Sequence, residues 1–539
     1  MTFRNEVALE KGRPPKFFVD ALVSQANLFI ASVSTILFPA HTESFISMGQ
    51  ARAKKHARLA RERLSKPLSQ SRFNLLAIGT RRSLVPYLYE EVAYWADLEE
   101  RVIGLIVRDI QDDDYYWSLL VRDRNGRFRS ADFDASLSSA HFATVALRER
   151  IAKAVTEDDL AELGTQGDET NQATDLLAIP QGTKPEDLHP NFKLLMETPG
   201  RAPARAVFKE LGPWLAPSDP HFVKEFQTKQ FDQRLWELYL WAVFRELGYD
   251  VTQPEAPDFH IGSPRGEFTV EATTCAPSTG GVLADHPDPK TTEQMKAFLN
   301  DYMPMKFGSA LTAKLKKKSA RGESYWERGP GAGKPFVLAI ADFHKPGGDG
   351  DMGSMTYTQE ALWLYLYGHC VEWEFIDGSL SIRSVKASDH VYKTKTVETG
   401  FFDLESTENI SAVVFSNAGT LSKFDRMGVD AGFAPDDHRY IRTGFRLNPD
   451  PNAVIGTPFG EEVEADNGER WSDELQVFHN PRAKFPLPLE AFSGTTQHQF
   501  VDGQLVSYST GTPVLSSQTI IMALLSAEGF EDATADGDS

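Results

Sequence analysis

Three acidic side chains stand on stretches that otherwise read as apolar core. Glu237 lies in the middle of FDQRLWELYLWAVFRELGYDV, Asp258 follows Pro257, and Glu271 sits inside FTVEATT. A lone carboxylate taken out of water is expensive unless it is paired. A divalent cation is the simplest shared partner, because hard carboxylate oxygens suit Mg²⁺. Taken singly, Asp258 also reads as a turn residue and Glu271 as an exposed strand residue. The three together point to metal-assisted chemistry.

Two groups of cations stand further along the chain. FGSALTAKLKKKSA, residues 307–320, reads as a helix whose apolar stripe runs through Leu311 and Leu315. Lys314 and Lys318 fall at spacings that share this stripe, whereas Lys316 and Lys317 point away. SNAGTLSKFDRMG follows an apolar strand and carries Asn417, Lys423 and Arg426, the residue types of a substrate-contacting loop.

The elements that must position the acids follow from periodicity. Residues 231–247 are apolar on nearly all sides, so they form a buried helix, with Gly248 as its natural stop. YDVTQ, PDFHI and GEFTVEATT read as three short strands, the last two joined by the turn GSPRG. GKPFVLAIADF is a near-continuous apolar run, as in a strand covered on both faces. EALWLYLYG reads as a helix and ISAVVFSNAG as a further buried strand.

The flanks read differently. Residues 1–155 form a self-contained α+β accessory unit: an apolar helix, the basic helix ARAKKHARLARERLSKP ending at Pro67, strands ERVIGLIVRDI and YYWSLLVRD, an RNGR turn, and a closing helix HFATVALRERIAKAV. The basic helix suits nucleic acid or an acidic partner, or is simply a solvated face. Residues 156–189 are polar and weakly patterned, a linker. Residues 431–539 form a C-terminal appendage, or a wrap around the centre, with a frayed acidic end.

Composition sets limits. The chain has 539 residues, too many for one core, and a formal net charge of -20. That charge argues against broad adhesion to nucleic acid, though not against a local basic groove. Two cysteines, Cys275 and Cys370, provide neither a disulfide framework nor a thiolate zinc site, and a reducing cytoplasm is the expected compartment. The apolar run at residues 17–40 is interrupted by Asp20, Gln25 and Asn27, short of the ~18 uninterrupted residues of a membrane span. No membrane association is expected.

The order helix, strand, strand, strand, helix, strand over residues 190–430 resembles the PD-(D/E)XK nuclease superfamily, with its restriction-endonuclease-like fold. Pro257-Asp258 matches the PD element and Glu271 the acid of the second element. The resemblance implies an α/β domain with a central mixed sheet flanked by helices. It implies Mg²⁺ or Mn²⁺ held by Glu237, Asp258, Glu271 and the main-chain carbonyl of Ala272, and hydrolysis of phosphodiester bonds in nucleic acid, DNA before RNA. The departure is Thr273, which stands where the family has Lys. Either Lys314 or Lys318 takes over that role from the following helix, or the site only binds. A catalytically silent binding protein and a scaffold assembling through the N-terminal unit, with a protein partner or a second copy, are the other readings. Such domain combinations resemble bacterial defence or mobile-element proteins.

Three further motifs drop out. GPGAGKP has three residues between its glycines and Pro335 after the Lys, so it is not a phosphate-binding loop. His479 reads as part of a structured turn. Asp342 and His344 read as a strand-end cap.

Overall fold

A computed structural model describes residues 64–157, 159–169, 173–216, 219–345 and 358–524. The apolar N-terminal helix, nearly all of the basic helix and the acidic C-terminal end lie outside the described residues. The described chain is mixed α/β, with a large mixed sheet flanked by helices.

The N-terminal sheet is an antiparallel meander of β1 (Ser65–Pro67), β2 (Tyr89–Asp97), β3 (Val102–Asp109), β4 (Tyr115–Arg122) and β5 (Phe128–Leu137). Residues 65–67, expected to close the basic helix, are instead this edge strand, pairing with β2. The RNGR turn joins β4 to β5, with Gly126 at φ +85° and Asp123 accepting the amides of Asn125 and Arg127. Val102, Ile106, Leu119 and Val121 on the sheet pack against Ala143, Leu147 and Ile151 of the Ala140–Thr156 helix.

The main sheet takes β6 (Asp250–Thr252), β7 (Phe259–Ser263), β8 (Gly266–Cys275) and β9 (Phe336–Asp342). Two hairpins follow, β10 (His369–Ile376) with β11 (Ser379–Lys386), and β12 (His390–Tyr392) with β13 (Lys395–Val397). Then come β14 (Ala412–Phe415), β15 (His438–Arg446), β16 (Thr457–Glu462), β17 (Gln476–His479), β18 (Thr496–Val501), β19 (Gln504–Tyr508) and β20 (Val514–Ala523). The main sheet has eight strands in the order β19-β18-β17-β14-β9-β8-β7-β6, and β16-β15-β20 form a separate three-stranded sheet. β6, β7 and β8 are antiparallel, whereas β8, β9 and β14 run parallel.

β9 sits near the middle of this sheet and every residue of it is buried, which explains its unbroken apolar sequence. The Phe231–Glu246 helix covers one face, packing Leu235, Trp236, Leu240 and Phe244 against Val270 and Ala272. It ends in a Schellman motif: Gly248 at φ +80° donates to the Arg245 carbonyl and Tyr249 to the Phe244 carbonyl. The Met303–Lys316 helix covers the other face, with Phe307, Leu311 and Leu315 packed beside Cys275, Leu338 and Ile340.

Two stretches differ from the sequence reading. Leu176 and Leu177, in the supposed linker, are buried in the same core as the Phe231–Glu246 helix. Strands β17, β18 and β19 come from the segment read as an appendage or a wrap around the centre, and they complete the main sheet. Leu475, Val477 and Phe492 supply the apolar side chains that pin them there.

Candidate active site

Asp258 enters from the chain just before β7. Its Oδ2 accepts the Ala272 amide of β8 at 2.7 Å, which ties the two strands together beside Glu271. Side chains alternate along β8, so Glu271 and Thr273 share one face while Ala272 faces the Phe231–Glu246 helix. Glu271 is 4 % exposed. Its Oε1 accepts from Lys314 Nζ at 2.5 Å, and the Tyr325 hydroxyl lies beside the same carboxylate. Lys314 reaches the site because the last turn of the Met303–Lys316 helix passes over the strand.

Glu237 approaches from the opposite helix and is also buried. Gln233, one turn earlier, donates to Glu237 Oε1 at 2.9 Å and to the Ala272 carbonyl at 3.4 Å. Arg234 donates to Glu237 Oε2 at 2.8 Å and also binds Asp219 and Glu225. Both oxygens of Glu237 therefore have protein donors. A role for Glu237 as a direct metal ligand would require it to leave them.

The electrostatics mark Asp258 as the strained member. Burial pushes its carboxyl well above the usual range, and the charges of Glu271 and Glu237 push the same way. Lys314 and the Ala272 amide pull it down without restoring it. Burial also raises Glu237, against the pull of Arg234 and Gln233. Burial and the neighbouring Glu271 carboxylate keep Tyr325 protonated. Like charges crowded in a poorly solvated place are what an added cation relieves.

Asp258, Glu271 and Lys314 thus come together, with Glu237 and the Ala272 carbonyl in the neighbouring layer. Lys318 does not join them. The helix stops at Lys316, because Lys317 turns extended at ψ 129°. The four-residue spacing from Lys314 therefore no longer holds, and Lys318 donates to Ser324 Oγ instead. The loop expected to contact substrate is also corrected. Lys423 and Arg426 lie in a buried helix, Leu421–Asp430, and are consumed by Glu469 at 2.6 and 2.9 Å. Asn417 is half-buried and exchanges a hydrogen bond with Thr358. His479 accepts its place in the sheet, bonded to Gln497 at 2.8 Å.

Gln233, Arg234, Tyr325 and Thr274 belong to this neighbourhood and escaped the sequence reading. Thr274 Oγ1 donates to Gln233 Oε1 at 3.3 Å. The spacing from Gln233 to Glu237 is one helical turn and could have found the glutamine; nothing local marks Tyr325.

Among the described residues, no group of three or more His, Cys, Asp and Glu side chains is arranged to hold a metal ion. Two carboxylates and a carbonyl remain. That donor set suits Mg²⁺, which keeps several waters and takes one or two carboxylates plus substrate phosphate oxygens. Scans against protein-family models, curated proteins and solved structures each return no match for this chain.

Proposed function

We propose that the chain is a divalent-cation-dependent nuclease of the PD-(D/E)XK type, hydrolysing phosphodiester bonds in DNA or RNA. One observation carries this reading: Asp258, Glu271 and Lys314, from three separate elements, meet at the fork where β7 and β8 part. The helix, three antiparallel strands, helix and parallel strand that surround them support it.

Asp258 and Glu271 would hold the cation, with the Ala272 carbonyl as a further donor. When bound, the cation supplies an activated water and draws charge from the scissile phosphate. Lys314 Nζ, 2.5 Å from Glu271 Oε1, would take the part of the family's strand lysine. As an ammonium it would orient the attacking water and offset charge on the phosphate oxygens. Tyr325 restrains the Glu271 carboxylate. Gln233, itself anchored on Glu237, holds the Ala272 carbonyl in position from the opposite face.

A silent, binding-only protein is the second reading. It is favoured by Thr273 in the lysine position and by Arg234 on Glu237. The two readings separate in one assay with single- and double-stranded DNA and RNA, in Mg²⁺, Mn²⁺ or EDTA. Metal-dependent cleavage in the wild type that disappears in both Asp258→Ala and Glu271→Ala supports the nuclease. Binding with no cleavage under any metal sinks it.

A further inference from the structure

Beyond Glu271, β8 runs on through Thr274 and Cys275 to a cavity of about 390 Å³. It lies between the strand end, the loop 276–283 and the first turns of the Met303–Lys316 helix. The nuclease chemistry above does not use it. Its wall includes Ser278, Gly280, Gly281, Lys306, Ser309 and Lys395. Two cations line it and no acid does, in a chain whose formal charge is -20.

Lys306 is only 5 % exposed, yet its ammonium is given to two neutral acceptors, the Ala276 carbonyl at 2.6 Å and Ser278 Oγ at 2.7 Å. Among the described residues it makes no ion pair. Burial lowers its pKa, and the charge of Lys395 lowers it further, against Cys275 and Asp342. Asp342 is given to His344 at 2.7 Å. Lys395, on β13, is exposed and has no ion-pair partner among the described residues, whereas Lys393 beside it pairs with Asp285. A buried ammonium with no carboxylate in direct contact is costly, and a second ammonium across the same cavity adds to that cost. An anion removes both.

We propose that this cavity is a phosphate-binding subsite that takes a phosphate of the nucleic-acid substrate next to the bond to be cut. Several oxygens on one tetrahedral group can serve two ammoniums, the Ser278 hydroxyl and the backbone amides of Gly280 and Gly281; the Ser309 hydroxyl is already given to the Met305 carbonyl at 2.7 Å. Thr274 forms part of the wall and donates to Gln233, which touches Ala272 and Glu237. The cavity therefore adjoins the acid site, about 10 Å along the strand at ~3.3 Å per residue. The phosphate affinity stands on the cavity alone; the assignment to nucleic acid rests on the nuclease reading.

The test is calorimetric titration of the full-length protein with inorganic phosphate, without divalent cation and at constant ionic strength. Wild type should bind phosphate saturably, and Asp258→Asn should bind it equally well. Lys395→Ala, at an exposed position, should weaken binding about tenfold, the effect of one charge-assisted hydrogen bond. Lys306→Gln should weaken it at least as much, with circular dichroism confirming the fold. No saturable binding, or unchanged affinity in Lys395→Ala, overturns the subsite even if the wild type cleaves. A 5′-phosphorylated oligonucleotide should displace phosphate better than a mononucleotide does. Equal displacement removes the nucleic-acid assignment. Phosphate binding without any cleavage of DNA or RNA overturns the nuclease reading and leaves the subsite in place.

Discussion

Two buried clusters of charge sit on neighbouring parts of this molecule and are built in opposite ways. Around Glu469 and Glu474, cations exceed what two carboxylates need: Lys423, Arg426 and Arg442 all converge there. Burial pushes Glu469 up, but Arg426, Lys423 and Arg442 outweigh it and hold the carboxyl far below the usual range. Around Asp258 the balance is reversed. Burial and two neighbouring acids push its carboxyl up, and one lysine does not compensate. The first cluster is at rest, and its residues hold the β15–β20 sheet to the Leu421–Asp430 helix through Arg426 and Thr519. The second stores an imbalance, and such imbalance concentrates at sites that bind or react.

The largest effect that sharpens this contrast is on folding. Glu469→Ala leaves Lys423 buried without its acid and Arg426 with Glu474 alone, and should cost about 3–5 kcal/mol in urea denaturation. A loss below ~1 kcal/mol would mean that the network is not a structural unit. Next comes Lys314→Ala, which should slow metal-dependent cleavage about 100-fold, as for loss of one donor that stabilises developing charge. Full activity removes Lys314 from the reaction.

Asp258→Asn should act on stability in the opposite sense to Glu469→Ala. The folded-state pKa of Asp258 lies above its ordinary value of 3.8, so the native state binds the extra proton. Stability from this group is therefore present at low pH and is lost as pH rises from about 3.8 through the raised value. In metal-free buffer at pH 8 the Asn variant should gain about 1 kcal/mol, and its melting temperature should vary less with pH than the wild type's. Mg²⁺ should raise the wild-type melting temperature and leave the variant's unchanged. A variant that melts lower than the wild type at pH 8 breaks the comparison. The smallest effect is Lys318→Ala, which loses one hydrogen bond to buried Ser324, about 1 kcal/mol, with cleavage unaffected.

Glu237 and Glu271 were legible in the chain because each interrupts an apolar run, and Asp258 because it follows Pro257 at the start of the strand between them. Lys423 and Arg426 were misread for a definite reason. Their partners Glu469 and Glu474 stand more than 40 residues downstream, in loop rather than in any patterned element. Lys318 failed on a boundary: three consecutive lysines hide where the helix ends. β17 and β18 are short, four and six residues, and separated by a Pro-rich stretch, so nothing local announced that they continue a sheet begun near residue 250. Pairing partners distant in sequence leave no local trace.

That late completion constrains anyone wishing to shorten the protein. β14 pairs with β9 on one side and with β17 on the other, through four residues each. A fragment ending near residue 430 would keep all the proposed catalytic groups but strip β14 of its outer neighbour, baring an apolar strand edge able to join other chains. The proposed nuclease centre cannot be lifted out as a cassette, since the last fifth of the polypeptide is the lid on its own sheet.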